Sequence, residues 1–175
     1  MYRYNSCAIQ GGETVKIGVI SDTHLAGYDE RLKRILHEHF KDVELILHAG
    51  DLVDIRVLDI FEGKDIKAVC GNMDPSSVRE LLPDRLIFTL NNYRIGLIHG
   101  WGMPFGIENK LLKEIGNVDC LVYGHTHRAT NVFRDGVLFF NPGSATDKRF
   151  ASRNTIGILN IRGRIRGEII ELEDS

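Results

Sequence analysis

The run Gly124-His125-Thr126-His127 follows the apolar stretch Cys120-Leu121-Val122-Tyr123. A short β-type run closing on glycine and two histidines reads as a strand that opens into a loop. Histidines one residue apart can bring both imidazoles into one small space, and imidazole suits transition metals. A lone His-x-His is a weak signal. Four other polar clusters stand behind apolar runs in the same way: Asp22-x-His24, Gly50-Asp51, Gly71-Asn72 and His99-Gly100. Together they offer two Asp, one Asn and four of the seven histidines of the chain. Such a set exceeds the four ligands of a tetrahedral structural zinc site. It suits two cations that share a carboxylate and keep positions open for water, an arrangement that serves hydrolysis. Imidazole and oxygen donors without thiolate favour Mn, Fe, Zn, Ni or Co. Singly, each cluster has a plainer reading, since Asp caps helices and Asn makes turns. Five such coincidences in one chain are harder to accept than one site.

For the clusters to meet, the strands before them must be neighbours whose carboxyl ends point to one side, where loops of open α/β sheets converge on ligands. The apolar patterns predict strands over 15–20, 45–49 and 67–70, with a helix over 29–40 and a short one over 54–61. A helical turn is expected from Pro75-Ser76. That order, β-α-β-α-β, belongs to a mostly parallel sheet with covering helices. The second half reads as hairpins, 86–90 with 93–98 across Asn91-Asn92, and 130–133 with 137–140 across Asp135-Gly136. A helix over 107–115, a strand over 120–123 and a terminal hairpin of 155–161 with 165–172 complete the set. A parallel first half and an antiparallel second half predict two mixed sheets face to face with helices outside. Residues 1–14 show no period and are expected to be a tail to a single domain over 15–175.

The chain has 175 residues, 43% hydrophobic and 26% charged, which is enough for one full core. A formal charge of -2 argues against a protein built for nucleic-acid duplexes, which would present a basic face. Three unpaired cysteines fit a reducing compartment. No apolar run approaches the roughly 18 residues of a membrane span, and no secretory leader stands at the start. The expected location is the cytoplasm.

Taken in order, D-x-H, G-D, G-N, H-G and G-H-x-H resemble the calcineurin-like metallophosphoesterases. Asn141-Pro142-Gly143-Ser144 following G-H-T-H in a short chain is similar to their small bacterial and archaeal phosphodiesterase branch. The resemblance spans about residues 15–172. It implies the α/β fold class, a four-layer αββα sandwich with a dimetal centre at the sheet edges. Carried over by motif, Asp22, His24 and His127 hold one metal, Asn72, His99 and His125 the other, and Asp51 bridges. The implied cofactors are two divalent transition-metal ions, manganese foremost, with Ni, Fe, Zn or Co as the others. The implied activity is hydrolysis of a small phosphate ester, a diester first, by a metal-bridging hydroxide. Met73 stands where many relatives carry a histidine that assists the leaving group, and the small branch shares that absence.

Two other readings accompany this one. The fold also serves as a metal-binding interaction scaffold, as in a retromer subunit, and a phosphomonoesterase would differ only in substrate. Around the site, Asn141 and Ser144 are candidates for substrate binding or for a plain turn. Arg149 is a candidate for substrate phosphate. His48 reads either as a support for the site or as a core histidine, and Trp101, Met103, Pro104 and Phe105 as a lid or as ordinary packing. Exposed strand edges make a homodimer or homotetramer the expected assembly.

Overall fold

Apolar side chains on both faces of Val15–Ile20 (β1) put this strand between two layers. Val15, Ile17 and Val19 join one apolar cluster and Ile20 another. The computed structural model describes residues 14–173. The tail expected over 1–14 therefore lies outside the described residues, apart from Thr14.

From β1 the chain enters helix α1, Glu30–Glu38, capped by Asp29, whose side chain accepts the Arg31 N–H. It returns through Leu45–His48 (β2), a 3-10 turn over Ile55–Phe61 and Asp65–Ala68 (β3). A short helix, Ser76–Arg79 (α2), leads to the hairpin of Arg85–Leu90 (β4) and Tyr93–Ile98 (β5). Helix α3, Ile107–Ile115, then leads to Cys120–Tyr123 (β6). The last four strands are Thr130–Arg134 (β7), Val137–Asn141 (β8), Thr155–Arg162 (β9) and Arg164–Glu171 (β10).

One sheet has the order β10-β9-β1-β2-β3 and the other β4-β5-β6-β8-β7. Between them lies a core that includes Ile17, Leu47, Leu97, Val122 and Phe140. Helix α1 and the 3-10 turn cover the outer face of the first sheet, and α3 covers that of the second. This is the expected αββα sandwich, with two corrections and one refinement.

The second half is not wholly antiparallel: its hairpins and the pairing of β9 with β1 are, but β5, β6 and β8 run parallel at the sheet centre. Strand β3 lies two residues earlier than expected. Its partner β2 stops at His48, paired with Ala68, so Val69 and Cys70 have no strand left to continue along. The helix expected over 54–61 is 3-10 rather than α. Ile55, Leu58 and Phe61 recur at a spacing of three, which suits three residues per turn.

The six strands that precede predicted clusters or the Asn141 loop, β1, β2, β3, β5, β6 and β8, run parallel to one another within their sheets. Their carboxyl ends therefore share an edge within each sheet, and the side chains described below join the two edges. Phe140 anchors the inter-sheet layer, fully buried against Gly157 and Gly167. Phe140→Ala is expected to cost about 3–5 kcal/mol, read as a lower denaturant midpoint for metal-free protein.

Candidate metal centre

Strand β1 ends at Ile20, and Asp22 and His24 follow in the left-handed region of backbone space, at φ 52° and 48°. Asp51 after β2, and His125 and His127 after β6, are held the same way. Among the described residues only nine that are not glycine have positive φ, and these five are among them. Backbone held in such sparsely populated regions clusters at functional sites, where surrounding bonds over-determine it.

Those bonds run between the loops. The N–H groups of Asp22 and His24 donate to the carbonyls of Gly50 and Asp51, and Gly124 N–H donates to that of His99. Gly71 and Gly124 allow the close approach. A Cβ on Gly124 would stand 2.9 Å from the Ala49 carbonyl and 2.8 Å from Asp22 Oδ2. One on Gly71 would collide with the Asp51 side chain and main chain.

The result brings all seven predicted donors together. His127 Nε2 lies 3.2 Å from His24 Nε2 and 3.2 Å from Asp22 Oδ1. On the other side, His99 Nε2 lies 3.2 Å from Asp51 Oδ2 and 3.2 Å from Asn72 Oδ1. His125 Nδ1 is 2.8 Å from the same Asn72 oxygen. Two compact donor groups emerge, Asp22 with His24 and His127, and Asp22 with Asp51 and His99. Both aspartates reach both halves. Asp51 Oδ2 is 3.7 Å from His24 Nε2, whereas Asp22 Oδ1 is 3.9 Å from both His24 and His99.

The donor chemistry fits divalent cations. Ligand atoms on one such ion, bonded at about 2.0–2.2 Å, stand roughly 3–4 Å apart, as these do. The outer ring nitrogens are fixed by carbonyls: His99 Nδ1 lies 2.7 Å from Ala49 O and His125 Nε2 2.8 Å from Gly102 O. In each neutral imidazole the outer N–H donates there, which turns a lone pair towards Asn72 Oδ1, itself an acceptor. Lone pairs gathered this closely call for a cation between them. Among the described residues neither donor group includes a thiol; burial and Asp84 push Cys70 up to about 12, and burial raises Cys120 further.

Charge is tuned by the same contacts. Burial pushes the Asp51 carboxyl up, but His99 and the Met73 N–H outweigh it and the net direction is down. Burial likewise opposes protonation of His99, yet the hydrogen bond to Asp51 and both carboxylates raise it. At His24 burial wins and the imidazole is lowered.

Several supporting residues are ambiguous or silent in the sequence. Asn141 and Ser144, candidates for substrate binding or for a plain turn, are both fully buried. Asn141 Nδ2 donates to Gly124 O at 2.8 Å and Thr126 Oγ1 at 3.1 Å, and Ser144 Oγ donates to Asp22 O at 2.8 Å. They hold the ligand loops. His48 does both things expected of it as alternatives. It is completely buried, and it accepts the Gly50 N–H at 3.2 Å and meets Thr23 Oγ1 at 3.2 Å. Asp74 follows Gly71-Asn72-Met73 directly, but its role arises only when three segments converge. Its carboxylate accepts the N–H groups of Asp51, Val53 and Gly71 at 3.1, 2.6 and 2.7 Å. Trp101, Met103 and Phe105 are 40–77% exposed and so are not core packing.

Burial lowers His48 from 6.5 to about 3, so the folded chain refuses a proton that the unfolded chain accepts. That contribution to stability is complete above the unfolded value and is lost as pH falls below about 6.5. Metal-free protein is expected to weaken with acid over this range, and His48→Gln to flatten that slope in urea titrations.

The Calcineurin-like phosphoesterase superfamily domain matches residues 15–164. The chain belongs to this superfamily. It is 36% identical over 168 residues to a probable metallophosphoesterase of Methanocaldococcus jannaschii, covering 93% of this chain and 84% of that one. Among solved structures, an archaeal phosphodiesterase aligns at a TM-score of 0.69 and 27% identity, over 89% of this chain and all of the other. Vacuolar Protein Sorting 29 of Cryptosporidium parvum aligns at 0.70 and 18% identity, over 92% and 99% of the two chains, and shares the fold. As a calcineurin-like phosphoesterase, the chain is a phosphoric ester hydrolase with candidate ligands for divalent cations. No helix among the described residues is long and apolar enough to cross a membrane.

Proposed function

We propose that this calcineurin-like phosphoesterase is a dimetal phosphodiesterase acting on a small diester. One observation carries it: seven O and N donors from both sheets converge at distances that match shared coordination. In this reading Asp22, His24 and His127 hold one cation, Asn72, His99 and His125 the second, and Asp51 lies between. Bound there, the pair would supply activated water at neutral pH and neutralise charge on the phosphoryl oxygens.

The chain's own residues do the rest. Ala49 and Gly102 carbonyls fix the tautomers of His99 and His125, so each presents a lone pair inward. The Met73 N–H holds Asp51 Oδ1 at 2.7 Å and leaves Oδ2 facing His24 and His99. The Met73 side chain is exposed beside Asn72 and has no proton to give. A leaving group therefore departs without help from that position, which favours esters with acidic leaving groups. Preference for diesters is supported by the likeness to the archaeal phosphodiesterase.

Hydrolysis of a nitrophenyl phosphodiester beside its monoester, on chelated and manganese-reloaded protein, tests the assignment. Diester turnover restored by metal is the expected result, and preference for the monoester would overturn the substrate class. Met73→His is expected to speed diesters with alkyl leaving groups by at least about tenfold, with little change for nitrophenyl diesters.

A further inference from the structure

One carboxylate beside the site belongs to none of the five sequence clusters. Asp147 Oδ2 lies 3.7 Å from His24 Nε2, the ring atom that faces Asp22 and His127. Asp51 Oδ2 stands at the same 3.7 Å from that atom, and Asp22 Oδ1 at 3.9 Å. Measured from His24 Nε2, Asp147 stands as near as the two aspartates already assigned to the site. Its side chain is 9% exposed.

The position is built. Three successive carbonyls after β1 hold the segment that carries Asp147. Ala145 N–H donates to Ser21 O at 3.2 Å, Ser144 Oγ to Asp22 O at 2.8 Å, and Thr146 Oγ1 to Thr23 O. Ser144 Oγ also accepts the Asp147 N–H at 3.0 Å. Thus the main chain that places Asp22 and His24 also places Asp147. Arg149 braces the carboxylate from outside. Its N–H donates to Oδ1 at 2.9 Å, and Nε and Nη2 reach Oδ2 at 2.8 and 2.6 Å. This accounts for Arg149 without assigning it substrate phosphate.

We infer that Asp147 is a further oxygen donor to the cation held by Asp22, His24 and His127, an inference that rests on the dimetal reading above. With Asp51, that cation would draw on three carboxylates and two imidazoles. Five such donors suit an ion of higher coordination number, Mn²⁺ in preference to tetrahedral Zn²⁺.

Manganese titrations of chelated wild-type, Asp147→Asn and Asp147→Cys protein test it, with circular dichroism to show that each is folded. Asp147→Asn is expected to weaken one of two manganese-binding steps about tenfold and to leave the other unchanged. Asp147→Cys loaded with Co²⁺ is expected to show a thiolate-to-cobalt charge-transfer band that the wild type lacks, a signature of direct contact. Unchanged manganese affinity in Asp147→Asn would overturn the inference alone, as would weaker binding without the cobalt band, which would reduce Asp147 to a nearby charge. Wild-type protein that takes up no cation would overturn the dimetal reading and this inference with it.

Discussion

Asp51→Asn is expected to lose hydrolysis and metal together. Asp51 Oδ2 lies 3.2 Å from His99 Nε2 and 3.7 Å from His24 Nε2, so one oxygen faces both halves of the site. The other oxygen is committed to the Met73 N–H at 2.7 Å. An amide keeps the size of the carboxylate but removes the charge that two cations would share. Its NH₂ group also points two protons at ring nitrogens or at the main chain. Losing about 4 kcal/mol of transition-state stabilisation lowers turnover about 10³-fold. Metal analysis of the purified variant, beside its turnover of a nitrophenyl diester, gives both readouts. Normal metal content with activity lost would assign Asp51 to the reaction and remove it from the bridge.

The second large effect falls on Asp74, which touches no ligand atom. Its buried carboxylate takes three main-chain N–H groups, from Asp51, Val53 and Gly71. Val53 has φ 77°, a conformation costly for a β-branched residue, and its N–H to Asp74 Oδ1 is the bond that holds it. Arg79 adds bonds to the carbonyls of Asp74 and Gly71 at 2.9 and 2.7 Å. Asp74→Ala leaves three donors without their acceptor, each worth about 1–3 kcal/mol when buried. The expected loss is at least about 3 kcal/mol in urea unfolding of metal-free protein. Because Asp51 and Asn72 flank these bonds, metal affinity should fall as well. Asp74→Asn, which keeps one oxygen, should stand between the two. Asp74→Ala with unchanged midpoint and metal affinity would show that water or the remaining bonds suffice to hold these loops.

Much of this site is legible in the sequence, and the reason is local. Each donor cluster follows an apolar run that closes on a turn, and strand ends are marked by residue type within a few positions. What the sequence hides is non-local. Strand β3 ends where β2 ends, so its limits depend on a partner rather than on the apolar residues Val69 and Cys70. Positive φ at Asp22, His24, Asp51, His125 and His127 is imposed by bonds between loops far apart in sequence. Asn141 and Ser144 read as pocket or turn residues because they are polar and follow a strand, and the topology buries them beneath the ligand loops. Asp74 ends the Gly71-Asn72 cluster, but its partners Asp51 and Val53 lie after β2. Asp147 has no spacing to announce it, since its segment is held by carbonyls after β1.

If this calcineurin-like phosphoesterase holds two divalent cations through one set of shared donors, the ions can be counted. Isothermal titration of chelated protein with manganese, with metal content measured after dialysis, does so. Two ions per chain are expected, falling to one or none when His127 is replaced by alanine. A single ion in the wild type, or two that persist without His127, would contradict the dimetal site.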